Sequence, residues 1–332
     1  MRVSAIRSEQ PQKYPADPVD PGILGNSVTT TSDLADWTRI AWQGVTFDAP
    51  VGWNPLEVSG TRERGAVRLG DLYRTMMQVD WRAVGRLHRV DRVWKRYLKR
   101  QLHLTATSDR LVDRPALVSC LRAGGWVDVR VVRLDDGTGS IHALVRSAAS
   151  RRFVLIRVVL GADDDETNVV EPLLATLRES PRRGPQPWCL YGFGFRVPAR
   201  SRLDEWHLRP GHLEMTFRCR GLGITWQRIA LARRALGDRD VHAWMANHLE
   251  SRYRRTTWVP KSAAPRDGCA VRRRPGWIGR LCPTSLRTMG RAVTWHAADA
   301  DQLVVLLVHG RPHNIDAVFT MLCESWRVCE VK

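Results

Sequence analysis

Apolar and polar positions alternate with a period of two over many short runs of this chain, and the period changes to that of a helix at only a few places. Residues 42–81 hold three alternating runs: Val45-Thr46-Phe47-Asp48-Ala49-Pro50, Val67-Arg68-Leu69 after Gly65, and Met77-Gln78-Val79-Asp80-Trp81. Such runs predict half-buried strands, and Gly52, Gly60, Gly65 and Gly70 supply turns short enough for antiparallel pairing. From residue 90 the spacing is helical: Val90, Val93, Trp94, Tyr97 and Leu98 fall at i, i+3, i+4, i+7 and i+8, while Arg92, Lys95, Arg96, Lys99 and Arg100 fall off that face. The prediction is an amphipathic helix with a basic exterior. Three further strands are predicted at 126–132, 142–145 and 153–160, the last so apolar that a central place in its sheet is expected. Val169, Val170, Leu173, Leu174 and Leu177 then mark a second buried helix face, entered through Asp163-Asp164-Asp165-Glu166, whose charges suit a helix N-terminus.

This order is written twice. Phe47 and Pro50 map onto Phe195 and Pro198 at a shift of 148, and Gly65 and Trp81 onto Gly211 and Trp226 at shifts of 146 and 145. Val241, Trp244, Met245, His248 and Leu249 repeat the first helix face, residues 304–308 the central strand, and Ile315, Val318, Phe319, Leu322 and Trp326 the closing helix. A match in register over about 145 residues is too long a period for a solenoid and implies domain duplication. Residues 1–36, with Pro11, Pro15, Pro18, Pro21 and a Thr-Thr-Thr run, are expected to be a disordered arm. The expected domains are 37–180 and 188–332, joined by a Pro-, Gly- and Arg-rich linker at 181–187. The fold class expected is α+β: two tandem units, each a mainly antiparallel sheet with helices packed on its faces.

The segment Phe47-Asp48-Ala49-Pro50-Val51-Gly52-Trp53, an aromatic strand ending in Pro-x-Gly-Trp, followed by paired strands, a helix and a last strand running into a helix, resembles the PsbP-like fold. That superfamily includes extrinsic photosystem subunits, a nuclear-import factor that binds a small GTPase, and many bacterial domains. The resemblance covers both repeats, although the second has Pro198-Ala199-Arg200 where Pro-x-Gly-Trp stands in the first. It implies that each repeat is an α/β/α sandwich acting as a binding or scaffolding module without catalysis, and it transfers no active-site residue.

Composition adds a charge question. The formal net charge is +18 over 332 residues, and lysine contributes only Lys13, Lys95, Lys99, Lys261 and Lys332. Arginine in such excess can reflect codon composition, so distribution matters more than total. Residues 251–291 hold eleven Arg and Lys against the one acid Asp267, a local net of +10. Arg252, Arg254, Arg255, Arg272, Arg273, Arg274 and Arg280 lie there with Trp258, Trp277 and Tyr253, a mixture of guanidinium forks and rings suited to phosphates and bases. The alternative for this stretch is a solvated basic loop, with Trp277 in the core.

The remaining candidate chemistry is sparse. Cys269 and Cys282, and Cys323 and Cys329, lack the short spacing of structural zinc sites, and His309 and His313 flank Pro312 instead of converging on one helix face. The 163–166 acids suit capping better than cation binding, since Pro312-His313-Asn314-Ile315 stands in their place in the second copy. Gly192-Phe193-Gly194 lacks the third glycine of a dinucleotide loop, and neither a nucleophile elbow nor a metalloprotease motif is present. No cofactor or metal is expected. Seven cysteines in a long chain fit reduced thiols, and neither a membrane-spanning apolar run nor a signal segment is expected, which places the chain in the cytoplasm. The expected function is non-catalytic binding or scaffolding through protein contacts, with a partner that has an acidic surface; the alternative is nucleic-acid or polyanion binding through the basic stretch of the second repeat.

Overall fold

The alternating runs become strands because each has one apolar side to bury, and the helical stretches are too few to cover them all. The computed structural model describes residues 37–85, 89–101, 111–134, 139–160, 166–252, 258–261, 269–273, 289–310, 312–328 and 330–331; the arm expected at 1–36 lies outside them. In the first half the elements are β1 (Trp37–Trp42), β2 (Val45–Pro50), β3 (Asn54–Gly60), β4 (Arg64–Gly70), β5 (Thr75–Ala83), α1 (Val90–Gln101), β6 (Leu111–Asp113), α2 (Pro115–Ala123), β7 (Trp126–Leu134), β8 (Ile141–Ser147), β9 (Arg152–Val158), a π turn (Glu166–Val170) continued by α3 (Glu171–Thr176), and β10 (Arg178–Glu179). The second half follows with β11 (Gln186–Leu190), β12 (Phe193–Val197), β13 (Arg202–Arg209), β14 (His212–Cys219), β15 (Leu222–Ala230), α4 (Ala232–Leu236), α5 (Val241–Arg252), β16 (Trp258–Lys261), β17 (Cys269–Arg273), β18 (Met289–Ala297), β19 (Gln302–Gly310), α6 (Pro312–Ser325), β20 (Arg327–Val328) and β21 (Glu330–Val331).

Two seven-stranded sheets have the same strand order, β3-β4-β5-β9-β8-β7-β6 and β13-β14-β15-β19-β18-β17-β16. Their central strands are β9 and β19, and their neighbours pair antiparallel. The third sheet runs β10-β2-β1-β11-β12-β20, with β21 beside β1. It draws a hairpin from each half, joined where β1 meets β11 through the Ala41 and Cys189 pair. The residue 42–81 stretch therefore divides: β1 and β2 enter the shared sheet, whereas β3, β4 and β5 begin the first half's own sheet. Gln186, at the end of the expected linker, already pairs with Val197, and Asp36–Lys332 form one compact unit.

This corrects the expected fold class. Of the described residues 52% are in strands and 27% in helices, so the protein is a β-rich assembly of three antiparallel sheets and not a pair of α/β/α sandwiches. The physical reason is the aromatic content of the two hairpins. Trp42 stands edge-on to Trp188 at 5.1 Å, Trp188 to Phe217 at 4.9 Å, and Phe195 stacks on Trp226 at 4.8 Å. These contacts carry one core from the shared sheet into the inner face of the second half's sheet, and Val79, Trp81, Val154 and Ile156 extend it over the inner face of the first. Sheet packs on sheet where a helix layer was expected. On the outer faces α1 covers Val132, Leu144 and Phe153 with Trp94, and α5 covers Leu303, Val305 and Leu307 with Trp244, Met245 and Leu249. Among the described residues no helix is long and apolar enough to cross a membrane.

Candidate anion-binding cleft

Helix α1 lies over β7, β8 and β9 and leaves the outer face of β4 and β5 uncovered, because Trp94, with Val90, Val93, Tyr97 and Leu98, anchors it against Val132, Leu144 and Phe153. The gap is a cavity of about 530 Å³ lined by Gly65, Asp80, Trp81, Val84, Val93, Tyr97, Phe153 and Leu155, with Arg64, Arg82, Arg89, Arg92, Arg96 and Arg100 around it. Its size falls in the range of ligand pockets, roughly 300–1,000 Å³. All six guanidinium-bearing residues are exposed, and among the described residues none of the six is in an ion pair with a carboxylate.

Two features of this arrangement oppose folding stability. Arg64 and Arg82 are direct cross-strand partners in β4 and β5, a like-charge pairing that destabilises a sheet. Arg92, Arg96 and Arg100 follow one another at i, i+4 and i+8 on α1, where like charges repel by about 0.2–0.5 kcal/mol per pair. Both sets converge on one cavity, and an anion bound there relieves both. Codon composition accounts for arginine in general but not for its convergence.

The second half supplies an internal control. The corresponding helix α5 (Val241–Arg252) has Arg252 as its one arginine and Glu250 as its one acid. Between it and the sheet, His248 Nε2 meets Gln227 Oε1 at 2.8 Å, and the Gln227 amide donates to Glu214 at 3.1 Å, a polar chain running through buried positions. In the first half, Tyr97 stands where His248 does, its hydroxyl 2.8 Å from His142 Nδ1, with Ser140 Oγ 3.0 Å from His142 Nε2. Burial pushes the Tyr97 phenol up, opposed by Arg157, so it stays protonated.

Asp80 is the one carboxylate in the cleft lining. Gln78 Nε2 donates to its Oδ2 at 2.6 Å, and no ion pair to an arginine forms among the described residues. Burial raises its pKa above the ordinary carboxylate range, with the Gln78 hydrogen bond and the Arg68 charge opposing. Of the aromatic residues at the cleft, Trp81 turns its ring into the inner core, 2% exposed and donating to Thr61 O at 2.9 Å, and Tyr97 stacks on Trp94 at 5.6 Å. Gly65 lets Trp81 lie against the backbone, since a Cβ there would stand 2.5 Å from the ring.

Arg152 braces this floor. Its guanidinium, 1% exposed as a residue, lies over the Trp81 ring at 5.9 Å, donates to Gln43 O, Arg62 O and Gly44 O at 3.0, 2.8 and 3.2 Å, and pairs with Glu179 at 2.8 Å. Burial lowers its pKa to about 10, with Glu179 opposing, so it is cationic at neutral pH. Arg62 donates in turn to Ser180 O and Gln186 Oε1, which ties the turn between β3 and β4 to the segment joining the halves.

The residues singled out in the sequence for polyanion binding fall elsewhere. Arg252 ends α5, Trp258 opens β16 as the register partner of Arg273, and Arg272 pairs across to Val259 on one side and Arg291 on the other. Trp258, Arg272 and Arg273 share the β17-β16 edge of the second half's sheet, and Arg252 lies outside the sheet. Arg254, Arg255, Arg274 and Arg280, with Tyr253 and Trp277, lie outside the described residues. Arg291 has a counter-charge, Asp316 at 2.7 Å. Of the acids at 163–166, only Glu166 is described, and it pairs with Arg114 at 3.0 Å and Arg133 at 3.6 Å. Among the described residues no group of three or more His, Cys, Asp or Glu is placed to hold a metal ion. Sequence reasoning placed the basic exterior of α1 but not Arg64 and Arg82 opposite it, nor Arg89 at its N-terminal end. The available signal was the alternation in β5, which puts Gln78, Asp80 and Arg82 on the side away from Met77, Val79 and Trp81.

No protein-family model matches the chain, and no curated protein matches it in sequence. Among solved structures, the apo immunity protein TplEi of T6SS from Pseudomonas aeruginosa aligns over 88% of this chain and 97% of its own, at 9% identity and a TM-score of 0.34. A transferrin binding protein B double mutant from Haemophilus parasuis aligns over 80% of this chain and 65% of its own, at 6% identity and a TM-score of 0.12. Likenesses at these TM-scores carry no argument, and the case for function rests on the cleft.

Proposed function

We propose that this is a non-catalytic binding protein that receives an acidic segment of a partner protein in the cleft between α1 and the first half's sheet. The observation that carries the reading is the convergence of six arginines, none ion-paired among the described residues, on one cavity, at the cost of like-charge pairing within β4 and β5 and along α1. Sites that sacrifice local stability in this way are where function is expected. A ring of guanidinium groups takes carboxylates through bidentate hydrogen bonds, and an apolar floor accepts an intervening side chain. Nucleic acid is less well served, because the rings of Trp81 and Tyr97 are committed to internal contacts and offer no face for a base to stack on.

The test is titration of fluorescent poly-glutamate into the wild-type protein and into Arg92→Glu/Arg96→Glu. The wild type should bind with an affinity that falls steeply with salt, and the charge reversal should abolish binding while the urea midpoint holds or rises slightly, because residue 96 then attracts Arg100. Equal binding by both proteins would place the anion site elsewhere and defeat the proposal.

A further inference from the structure

Resting on that reading, we infer that the acidic segment the cleft receives carries a cationic side chain at its centre, a lysine or arginine flanked by acids, which docks on Asp80. A site for a purely anionic ligand has no use for a carboxylate in its lining, yet Asp80 lines the cavity together with six arginines, with Arg68 and Glu57 as the charged groups acting on it from outside that ring. Its Oδ2 is held by the Gln78 amide at 2.6 Å, and none of the described hydrogen bonds falls on Oδ1. No arginine of the ring closes on it to form an ion pair, although Arg82 lies two residues away on the same side of β5. A half-buried carboxylate costs desolvation, which an incoming cation repays through a charge-assisted hydrogen bond. The surrounding guanidinium groups would repel a lone cation, so the cation must arrive with carboxylates of its own. Val84, Val93, Phe153 and Leu155 supply the apolar lining against which an aliphatic stem lies, as a lysine side chain requires.

The charged groups around Asp80 make its replacement a sign test. In a ligand without a cation, Asp80 is a repulsive neighbour and its removal strengthens binding; in a ligand with a central cation its removal weakens binding. The probes are a labelled glutamate-rich peptide with a central Leu-Lys pair and the same peptide with Leu-Glu in that place, read by fluorescence anisotropy against the wild type, Asp80→Asn, Asp80→Ser and Arg92→Ala/Arg96→Ala. The lysine peptide should bind the wild type more tightly than its all-acidic counterpart. Asp80→Asn should weaken the lysine peptide about tenfold, as loss of a charged hydrogen bond does, while tightening the all-acidic one. Asp80→Ser should reproduce both signs, which separates the effect from any local change made by one amide. If Asp80→Asn tightens both peptides, or leaves both unchanged, the inference is overturned, and the cleft reading survives provided both peptides still lose affinity in Arg92→Ala/Arg96→Ala. If that arginine variant binds both peptides as the wild type does, the cleft reading itself fails. A single-stranded oligonucleotide that outcompetes both peptides would likewise overturn the inference.

Discussion

Replacing Arg152 with methionine isolates the cluster on which the cleft floor rests. Methionine keeps the aliphatic stem, and with it most of the packing, but removes a guanidinium that serves three carbonyls, of Gln43, Gly44 and Arg62, and pairs with Glu179. Glu179 is left facing a buried space, its other oxygen accepting from Ser147 and Ser150. Breaking a buried pair by deleting one partner costs about 3–5 kcal/mol, and carbonyls left without donors add to it, so a loss of about 4 kcal/mol is expected in urea unfolding. The slope of the transition should stay constant, which marks a change in stability and not in the denatured state. A second substitution checks the cause: Glu179→Gln keeps an acceptor for the two serines and removes the orphaned charge, so the Arg152→Met/Glu179→Gln pair should recover about 2 kcal/mol. A loss below about 1 kcal/mol for Arg152→Met, or no recovery in the double variant, would refute the reasoning and show that water reaches the cluster.

Trp94→Ala should cost about 3–5 kcal/mol in the same assay, since the ring is 8% exposed and packs on Val132, Leu144 and Phe153; a shift near zero would mean α1 is anchored by something else. Tyr97→Phe should cost about 0.5–1.5 kcal/mol, the net worth of the one hydrogen bond it removes from His142 Nδ1, read by the urea midpoint, and no change would show that water replaces the hydroxyl. Asp80 sets a pH dependence. Because burial raises its folded pKa, the native chain holds more protons than the unfolded chain between the ordinary value of about 3.9 and the raised one, and stability falls as pH climbs through that window. Asp80→Asn should therefore raise the urea midpoint at neutral pH and lose that advantage below about pH 4, whereas an advantage constant with pH would contradict the sign.

The helix that forms the cleft was legible in the sequence because a single face of five residues suffices to orient it: Trp94 is buried and Val90, Val93, Tyr97 and Leu98 pack around it. The recurrence of strand order was legible for the same reason, since aromatic and glycine positions repeat with the chain direction. Where the hairpins go was not. Val45 to Pro50 has the alternation of any half-buried strand, and nothing local distinguishes pairing within one half from joining a hairpin of the other. That choice is made by Trp42 meeting Trp188, residues far apart in the chain. The cleft was half legible. The basic side of α1 follows from periodicity, but Arg64 and Arg82 become a site only when β4 and β5 bring them opposite each other, and sequence density drew attention instead to the run at 251–291. Density along the chain measures local charge; a site needs convergence in space.

The measurement that tests the central claim most directly removes equal charge from these two places. Arg92→Ala/Arg96→Ala/Arg100→Ala and Arg272→Ala/Arg273→Ala/Arg274→Ala each delete three arginines, so nonspecific attraction falls equally, and Kd for a glutamate-rich peptide can be compared at fixed low salt with folding verified by circular dichroism. The cleft account predicts a loss of at least about a hundredfold for the first variant, from charge-assisted contacts of about 1.5 kcal/mol each, and little change for the second. Equal losses in both, or a larger loss in the second, would contradict it.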